Sequence, residues 1–201
     1  MTRLYSYIVA RDYGFAPNPF FGSCTLATCK PKIRGAASVG DWVIGTGSKQ
    51  AGQRGRLVYA MRVTETLGFD DYWSDPRFLS KRPHFDGSRK QAYGDNIYHH
   101  GTAGDWSQED SHHSLPGGRI NPKNLIPDTS CPRVLISKDY CYWGKLAPEI
   151  PLDLRNRQTD QDICHDRPGH RSNFTTSLIE DFEKWFRSFG SRGVVGLPRD
   201  W

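Results

Sequence analysis

"VGDWVIGTGS", Val39 to Ser48, is followed by "GRLVYAMRVTETLGF", Gly55 to Phe69, and this pair of runs decides the fold. Gly40-Asp41 is a turn pair, Trp42 to Ile44 is a short apolar run, and Leu57 to Thr66 alternates well enough to be a second strand. Joined by the flexible, basic "KQAGQRGR" (49–56), the two predict a β-hairpin-like unit. The glycines of "GTGS" lack the Gly-x4-Gly-Lys-Ser/Thr spacing of a phosphate-cradling loop and no helix follows, so they read as a tight strand exit.

Outward from this unit, "LYSYIV" (Leu4 to Val9) reads as a strand and Arg11 to Arg34 as a long irregular loop with several Pro and Gly. Downstream, Asp70 or Ser74-Asp75-Pro76 opens a short helical turn. Residues 83–128 form a large polar insertion whose apolar nucleus is "NIYHH". Strand character returns in "RVLISKDYCYWG" (Arg133 to Gly144). The chain closes on an amphipathic helix in which Phe174, Leu178, Ile179, Phe182, Trp185, Phe186 and Phe189 recur at helical spacing before Gly190, a stripe read as core. The order of elements predicts one α/β (α+β) domain over 1–201: a small mixed β-barrel or curled sheet with peripheral helices, not a doubly wound fold.

Aromatic residues make up 12% of the 201 residues, enough apolar area for a globular core. No 18-residue apolar run and no secretory signal pattern is found, so a cytoplasmic protein with no membrane partner is expected. The net charge of +5 is unevenly spread: residues 1–60 hold 8 Lys and Arg against 2 acids, whereas residues 61–130 hold 8 against 10. A basic N-terminal third is the footprint expected of phosphate contact. The five cysteines are irregularly spaced without a CxxC pair, against a disulfide framework or a zinc knuckle. Cys24 and Cys29 are the two held open for chemistry.

Three segments carry candidate function. The loop Arg11 to Arg34 interleaves aromatics with cations: Tyr13 and Phe20 suit stacking on a base, Asn18 suits its polar edge, and Lys30, Lys32 and Arg34 suit phosphates. "AYGDNIYHH" adds Asn96 as a base-edge reader and Tyr98 as a stacking ring. In "GDWSQEDSHHS" (Gly104 to Ser114), Asp110 lies on the same side as His112 in an extended segment. An acid/base pair of Asp110 with His112 or His113 follows, with Asp95 as a second acid/base and Cys24 as candidate nucleophile. "HSLPGGR" and "HDRPGH" place histidines beside Pro-Gly turns, but no metal-ligand spacing appears, so neither a metal nor another cofactor is expected.

"DYGFAPNPFFGSCTLATCKPKIR", "VGDWVIGTGS", "YWSDPRFLSKRP", "GDNIYHH", "DSHHS", "VLISKDYCYWG" and the terminal "GLPRDW" resemble the second family of nucleotide modification associated domains. That resemblance covers nearly the whole chain. It implies a context of bacterial and phage systems that modify nucleic-acid bases or respond to modified ones, hence a DNA-modification or phage-defence setting with partner proteins. The order of the two central strands and the "FDDYWSDPRF" exit is also similar to EVE and other PUA-like domains, small β-barrels that often bind RNA or a flipped modified base. Three functions follow as expectations: modified nucleobase or nucleotide recognition, an enzyme (hydrolase or transferase) using the Asp/His pair, or a protein-interaction subunit of a modification system.

Overall fold

The computed structural model describes residues 1–164 and 169–201. The chain divides into two compact units, one formed by Met1–Asp12, Ala37–Thr64 and Ser137–Trp201, the other by Tyr13–Ala36 and Glu65–Ile136. In chain order the first half contains β1 (Leu4–Val9), β2 (Cys24–Leu26), α1 (Pro31–Ala36), β3 (Trp42–Gly47), β4 (Leu57–Arg62), β5 (Glu65–Gly68), α2 (Phe69–Ser74), a 3-10 helix (Pro76–Lys81) and α3 (Arg89–Ala92). There follow β6 (Tyr98–His100), β7 (Trp106–Gln108), α4 (Pro122–Thr129), β8 (Arg133–Ser137) and β9 (Asp139–Tyr142). The last elements are β10 (Arg155–Asn156), β11 (Gln161–Asp162), β12 (His170–Arg171), α5 (Thr176–Ser188) and β13 (Gly193–Val194), with two further 3-10 turns between β9 and β10.

The first unit is built on a six-stranded sheet in the order β12-β1-β3-β4-β9-β13. It is mixed: β1 and β3 run parallel, as do β9 and β13, while β3–β4, β4–β9 and β1–β12 are antiparallel. The expected hairpin from Trp42 to Arg62 is present, with Trp42 opposite Arg62 and Ile44 opposite Ala60. Of the seven positions in the periodic stripe, helix α5 buries Leu178, Ile179, Phe182 and Phe186, while Phe174, Trp185 and Phe189 are partly buried against the same core. Phe182 and Phe186 meet the Trp42 ring edge-on at 5.4 and 4.7 Å, and the Trp42 indole N–H donates to Glu183 at 2.8 Å. The terminal "GLPRDW" is tied down by Asp12, whose Oδ2 accepts from the Arg199 amide at 3.1 Å and whose own amide donates to Asp200 at 2.7 Å. The sheet ends at two edge strands, so among the described residues no closed barrel forms and the sheet is an open one.

The second unit holds a three-stranded sheet, β2-β8-β5, and the β6–β7 hairpin. Its core gathers Phe15, Phe69, Tyr72, Phe78, Ile97, Tyr98, Val134 and Ile136. The Asp75-Pro76 signal is a helix start as expected, with Asp75 accepting from the Arg77 amide. Two predicted strands divide. Leu57 to Thr66 becomes β4 and β5, Arg133 to Gly144 becomes β8 and β9, and in each case the halves join different sheets. At the breaks, side chains replace ladder bonds: the Ser137 hydroxyl donates to the Arg62 carbonyl at 2.6 Å, and the Lys138 amide donates to Thr64 Oγ1 at 3.1 Å. The "irregular" N-terminal loop contains β2 and α1. Among the described residues no helix is long and apolar enough to cross a membrane.

Candidate thiol, imidazole and carboxylate site

After β2 the chain turns through Cys29 and Lys30, both left-handed at φ 58° and 45°, and Pro31 then starts α1. Non-glycine residues adopt this conformation at a cost of roughly 1–2 kcal/mol each. Hydrogen bonds offset that cost. The Cys29 amide donates to Asp128 Oδ1 at 2.7 Å, its carbonyl accepts from Arg34 Nε at 2.8 Å, and the Lys30 carbonyl accepts from the amides of Ile33 and Arg34. Arg34 is fully buried and its guanidinium also reaches the carbonyls of Asp128, Arg133 and Cys131. Burial pushes the Arg34 pKa below its ordinary value, and Asp128 opposes that shift from 3.8 Å.

Asp128 comes from α4, which Asn121 caps by accepting from the Lys123 amide. Its second oxygen, Oδ2, is 3.1 Å from His113 Nδ1 and accepts from the Tyr98 hydroxyl at 3.0 Å. The other ring nitrogen, His113 Nε2, lies 3.7 Å from Cys29 Sγ. The backbone of His113 is fixed through its carbonyl, which accepts from Asn124 at 2.9 Å and Gln108 at 3.3 Å. Burial alone would lower the imidazole pKa, but its hydrogen bonds to Asp128 and the Cys29 sulfur outweigh it and raise the value to about 9. At neutral pH this ring is therefore an imidazolium. Burial, then the Asp128 charge, drives the Tyr98 phenol upward, so Tyr98 remains a neutral donor.

A nucleophilic sulfur, a base within reach of it and a carboxylate orienting that base are the parts that covalent thiol catalysis requires. Cys29 is partly exposed and the His113 side chain retains 13% of its surface, whereas the carboxylate behind them retains 5%. A ledge of rings continues from the site. Phe15 packs 4.7 Å from His113 and 5.3 Å from the exposed His112, and His112 in turn meets Tyr13 at 4.8 Å and Tyr93 at 5.3 Å.

The residues predicted from sequence are distributed unevenly around this centre. His113 and Tyr98 belong to it, and Tyr13 and His112 to the ledge. Lys30 adjoins Cys29 and is half-buried, which lowers its pKa while Cys29 opposes the shift. Lys32 is exposed on α1. Asp110 accepts from Ser114 at 2.8 Å, and the acid on His113 is Asp128 instead. Arg34 is not positioned as a surface phosphate contact, since its guanidinium is spent on buried carbonyls.

Asn18, Phe20, Asp95 and Asn96 are buried. Lys81 donates to both Asn18 oxygens at 2.9 and 3.0 Å; Thr25 and Tyr72 donate to Asp95 at 2.6 and 2.8 Å; Asn96 donates to the Tyr72 and Phe78 carbonyls. Burial raises the Asp95 pKa, with Lys81 opposing it. Cys24 is fully buried and its thiol is pushed up by desolvation, which removes it as a nucleophile. Residues 165–168 of "HDRPGH" lie outside the described residues. Among the described residues, no group of three or more His, Cys, Asp or Glu side chains is arranged to hold a metal ion.

Asp128 was missed by sequence reasoning. The helix-start signal Asn121-Pro122 ahead of "KNLIPDT" was the clue available, since it places Asp128 on a helix rather than in featureless polar chain.

The class defined by this fold and site is a mixed α/β protein, with a mixed sheet and few helices, carrying a Cys-His-Asp cluster. The whole chain, residues 1–201, matches the family described as nucleotide modification associated domain 2, and the protein belongs to that family. Membership fits a nucleic-acid modification context and a nucleotide or nucleic-acid partner. No curated protein and no solved structure matches the chain.

Proposed function

We propose that the protein is a thiol-dependent enzyme acting on an acyl carbon, such as an amide or ester, carried by a nucleobase or nucleotide. The observation that carries this reading is the line Cys29 Sγ, His113 Nε2, His113 Nδ1, Asp128 Oδ2, with separations of 3.7 and 3.1 Å across the ring. A sulfur nucleophile with an imidazole in reach and a carboxylate behind it is the arrangement used for acyl transfer, and this supports an acyl carbon as the reacting centre. In the first half-reaction Sγ forms a bond to the carbonyl carbon, the bond to the leaving amine or alcohol breaks, and His113 Nε2 delivers the proton to it. In the second, His113 takes a proton from water, the hydroxide adds to the thioester carbon, and the C–S bond breaks to return the thiolate. Asp128 holds the Nδ1 proton throughout.

Base recognition enters this reading as binding, with the ring ledge of Tyr13, Tyr93 and His112, which reaches His113 through Phe15, supplying stacking area. The family's association with nucleotide modification supports a base or nucleotide as the carrier of the acyl group.

The test is competitive alkylation by iodoacetamide at neutral pH, read by mass spectrometry. Cys131 is the internal control because it too is partly exposed. Cys29 is expected to react at least about tenfold faster than Cys131, and His113→Ala is expected to remove that advantage. Equal rates at the two cysteines, or an advantage that survives His113→Ala, refutes the assignment.

A further inference from the structure

The first unit contains a cavity of about 180 Å³ that the Cys29 chemistry does not use. Strands β1 and β3 are parallel, with Ile8 opposite Thr46 and Val9 opposite Gly47, so their carboxyl ends lie side by side. The cavity opens there, lined by Ile8, Gly47, Ser48, Lys49, Arg54 and Gly55 among others. Crevices at the carboxyl ends of parallel strands are where open sheets bind ligands.

The charged side chains among the described lining residues, Lys49 and Arg54, are both cations. From Trp42 to Thr64 the sequence has no acid and four cations, Lys49, Arg54, Arg56 and Arg62. Lys49 and Arg54 are exposed at the rim. Ser48 is buried; its hydroxyl oxygen accepts from the Ala51 amide at 3.0 Å, and among the described residues its hydrogen has no acceptor. Behind the wall lies Arg155: a Cβ added at Gly55 would come within 2.7 Å of its Nη1. The Arg155 Nε is buried without a hydrogen bond and stands 3.8 Å from Asp162, a carboxylate that Arg157 also claims at 2.9 Å. Asp162 is thus shared by two guanidinium groups.

Glycine is required twice in this lining. Gly55 is left-handed at φ +80°, and a Cβ at Gly47 would fall 2.3 Å from the Gln53 carbonyl oxygen. The loop therefore closes tightly against itself and keeps the cavity small. Pockets that bury a whole small molecule usually run to roughly 300–1,000 Å³. At this size the cavity takes a phosphate or diphosphate and leaves any attached nucleoside outside.

We infer that this cavity is a binding site for a phosphate-bearing ligand, with Lys49, Arg54 and Ser48 as the groups that hold the phosphoryl oxygens. The inference stands apart from the thiol reading, since it concerns the other unit and needs no chemistry at Cys29.

The experiment is isothermal titration calorimetry of the full chain with inorganic pyrophosphate. Two double variants are compared: Lys49→Ala with Arg54→Ala, and Lys138→Ala with Lys145→Ala, which removes equal charge from exposed positions that do not line the cavity. The wild type and the second variant are expected to bind alike, and the first to bind about tenfold more weakly or worse. Absence of binding to the wild type, or equal weakening in both variants, overturns the inference. A nucleoside diphosphate and a single-stranded oligonucleotide then separate the sources of the phosphate. Tighter diphosphate binding with shallow salt dependence identifies a free nucleotide, and tighter oligonucleotide binding with a steep dependence identifies a nucleic-acid backbone.

Discussion

Replacing Asp128 by Asn tests the electrostatic logic of the site with almost no change of volume. In the wild type the His113 imidazole is held at about 9 against an ordinary 6.5. At about 1.4 kcal/mol per pH unit, that difference corresponds to roughly 3 kcal/mol. Because the folded value is the higher one, the stabilisation is fully present below pH 6.5 and is lost as the pH rises through about 9. The His113 side chain is only 13% exposed, so solvent screening removes little of it. In Asp128→Asn the burial that disfavours the imidazolium remains while the strongest opposing partner has lost its charge. The imidazole value is expected to fall well below 9, and the loss of stability between about pH 6 and pH 9.5 to shrink by roughly 3 kcal/mol relative to wild type. Urea unfolding of both proteins at the two pH values measures the stability difference, and a proton NMR titration of the His113 ring measures its cause. An Asp128→Asn protein whose ring still titrates near 9, or whose stability declines with pH in parallel with wild type, would contradict the assigned pairing.

Arg34→Met keeps an apolar stem but strands the four carbonyls that the guanidinium satisfies, so a loss of roughly 3–5 kcal/mol is expected in urea unfolding, together with slower alkylation of Cys29. An unmoved midpoint would show that the clamp is dispensable. Phe182→Ala removes a fully buried ring from beneath Trp42 and is expected to cost about 3–5 kcal/mol, read from the same unfolding curves; a loss under about 1 kcal/mol would mean that α5 does not close this core.

The parts of the fold legible in sequence are those where one period persists. The strand Leu4–Val9, the hairpin from Trp42 and the helix Thr176–Ser188 carry their apolar pattern unbroken. The divided strands were not legible, because alternation continues across Val63-Thr64 and across Ser137-Lys138 while the partner sheet changes. Only three-dimensional pairing shows Ser137 and Thr64 replacing ladder bonds at those points. At the site, His113 was visible as an unusual titratable residue, and Cys29 as one of two cysteines worth retaining. Their carboxylate was not, since 99 residues separate Cys29 from Asp128. The polar residues chosen as base readers illustrate a different difficulty. Asn18, Asp95 and Asn96 have the donors and acceptors that recognise a base edge, and the same groups satisfy buried Lys81, Thr25, Tyr72 and main-chain carbonyls. Residue type does not distinguish these uses; burial does.

The backbone at Cys29 bears on whether this cluster reacts or merely packs. A left-handed turn at φ 58° is cheapest for glycine, and cysteine there costs on the order of 1 kcal/mol or more. A structural thiol would be better accommodated in the core, where Cys24 and Cys141 are fully buried. Instead the chain places a partly exposed sulfur at a strained position and holds it there with the Asp128 carboxylate, which also fixes and charges the neighbouring imidazole. Strain that is maintained by the groups completing a reactive constellation is the pattern expected of a catalytic turn. Relieving it with Cys29→Gly should therefore stabilise the backbone or leave it unchanged while abolishing alkylation at that position. A large loss of stability in Cys29→Gly would instead assign the sulfur a packing role.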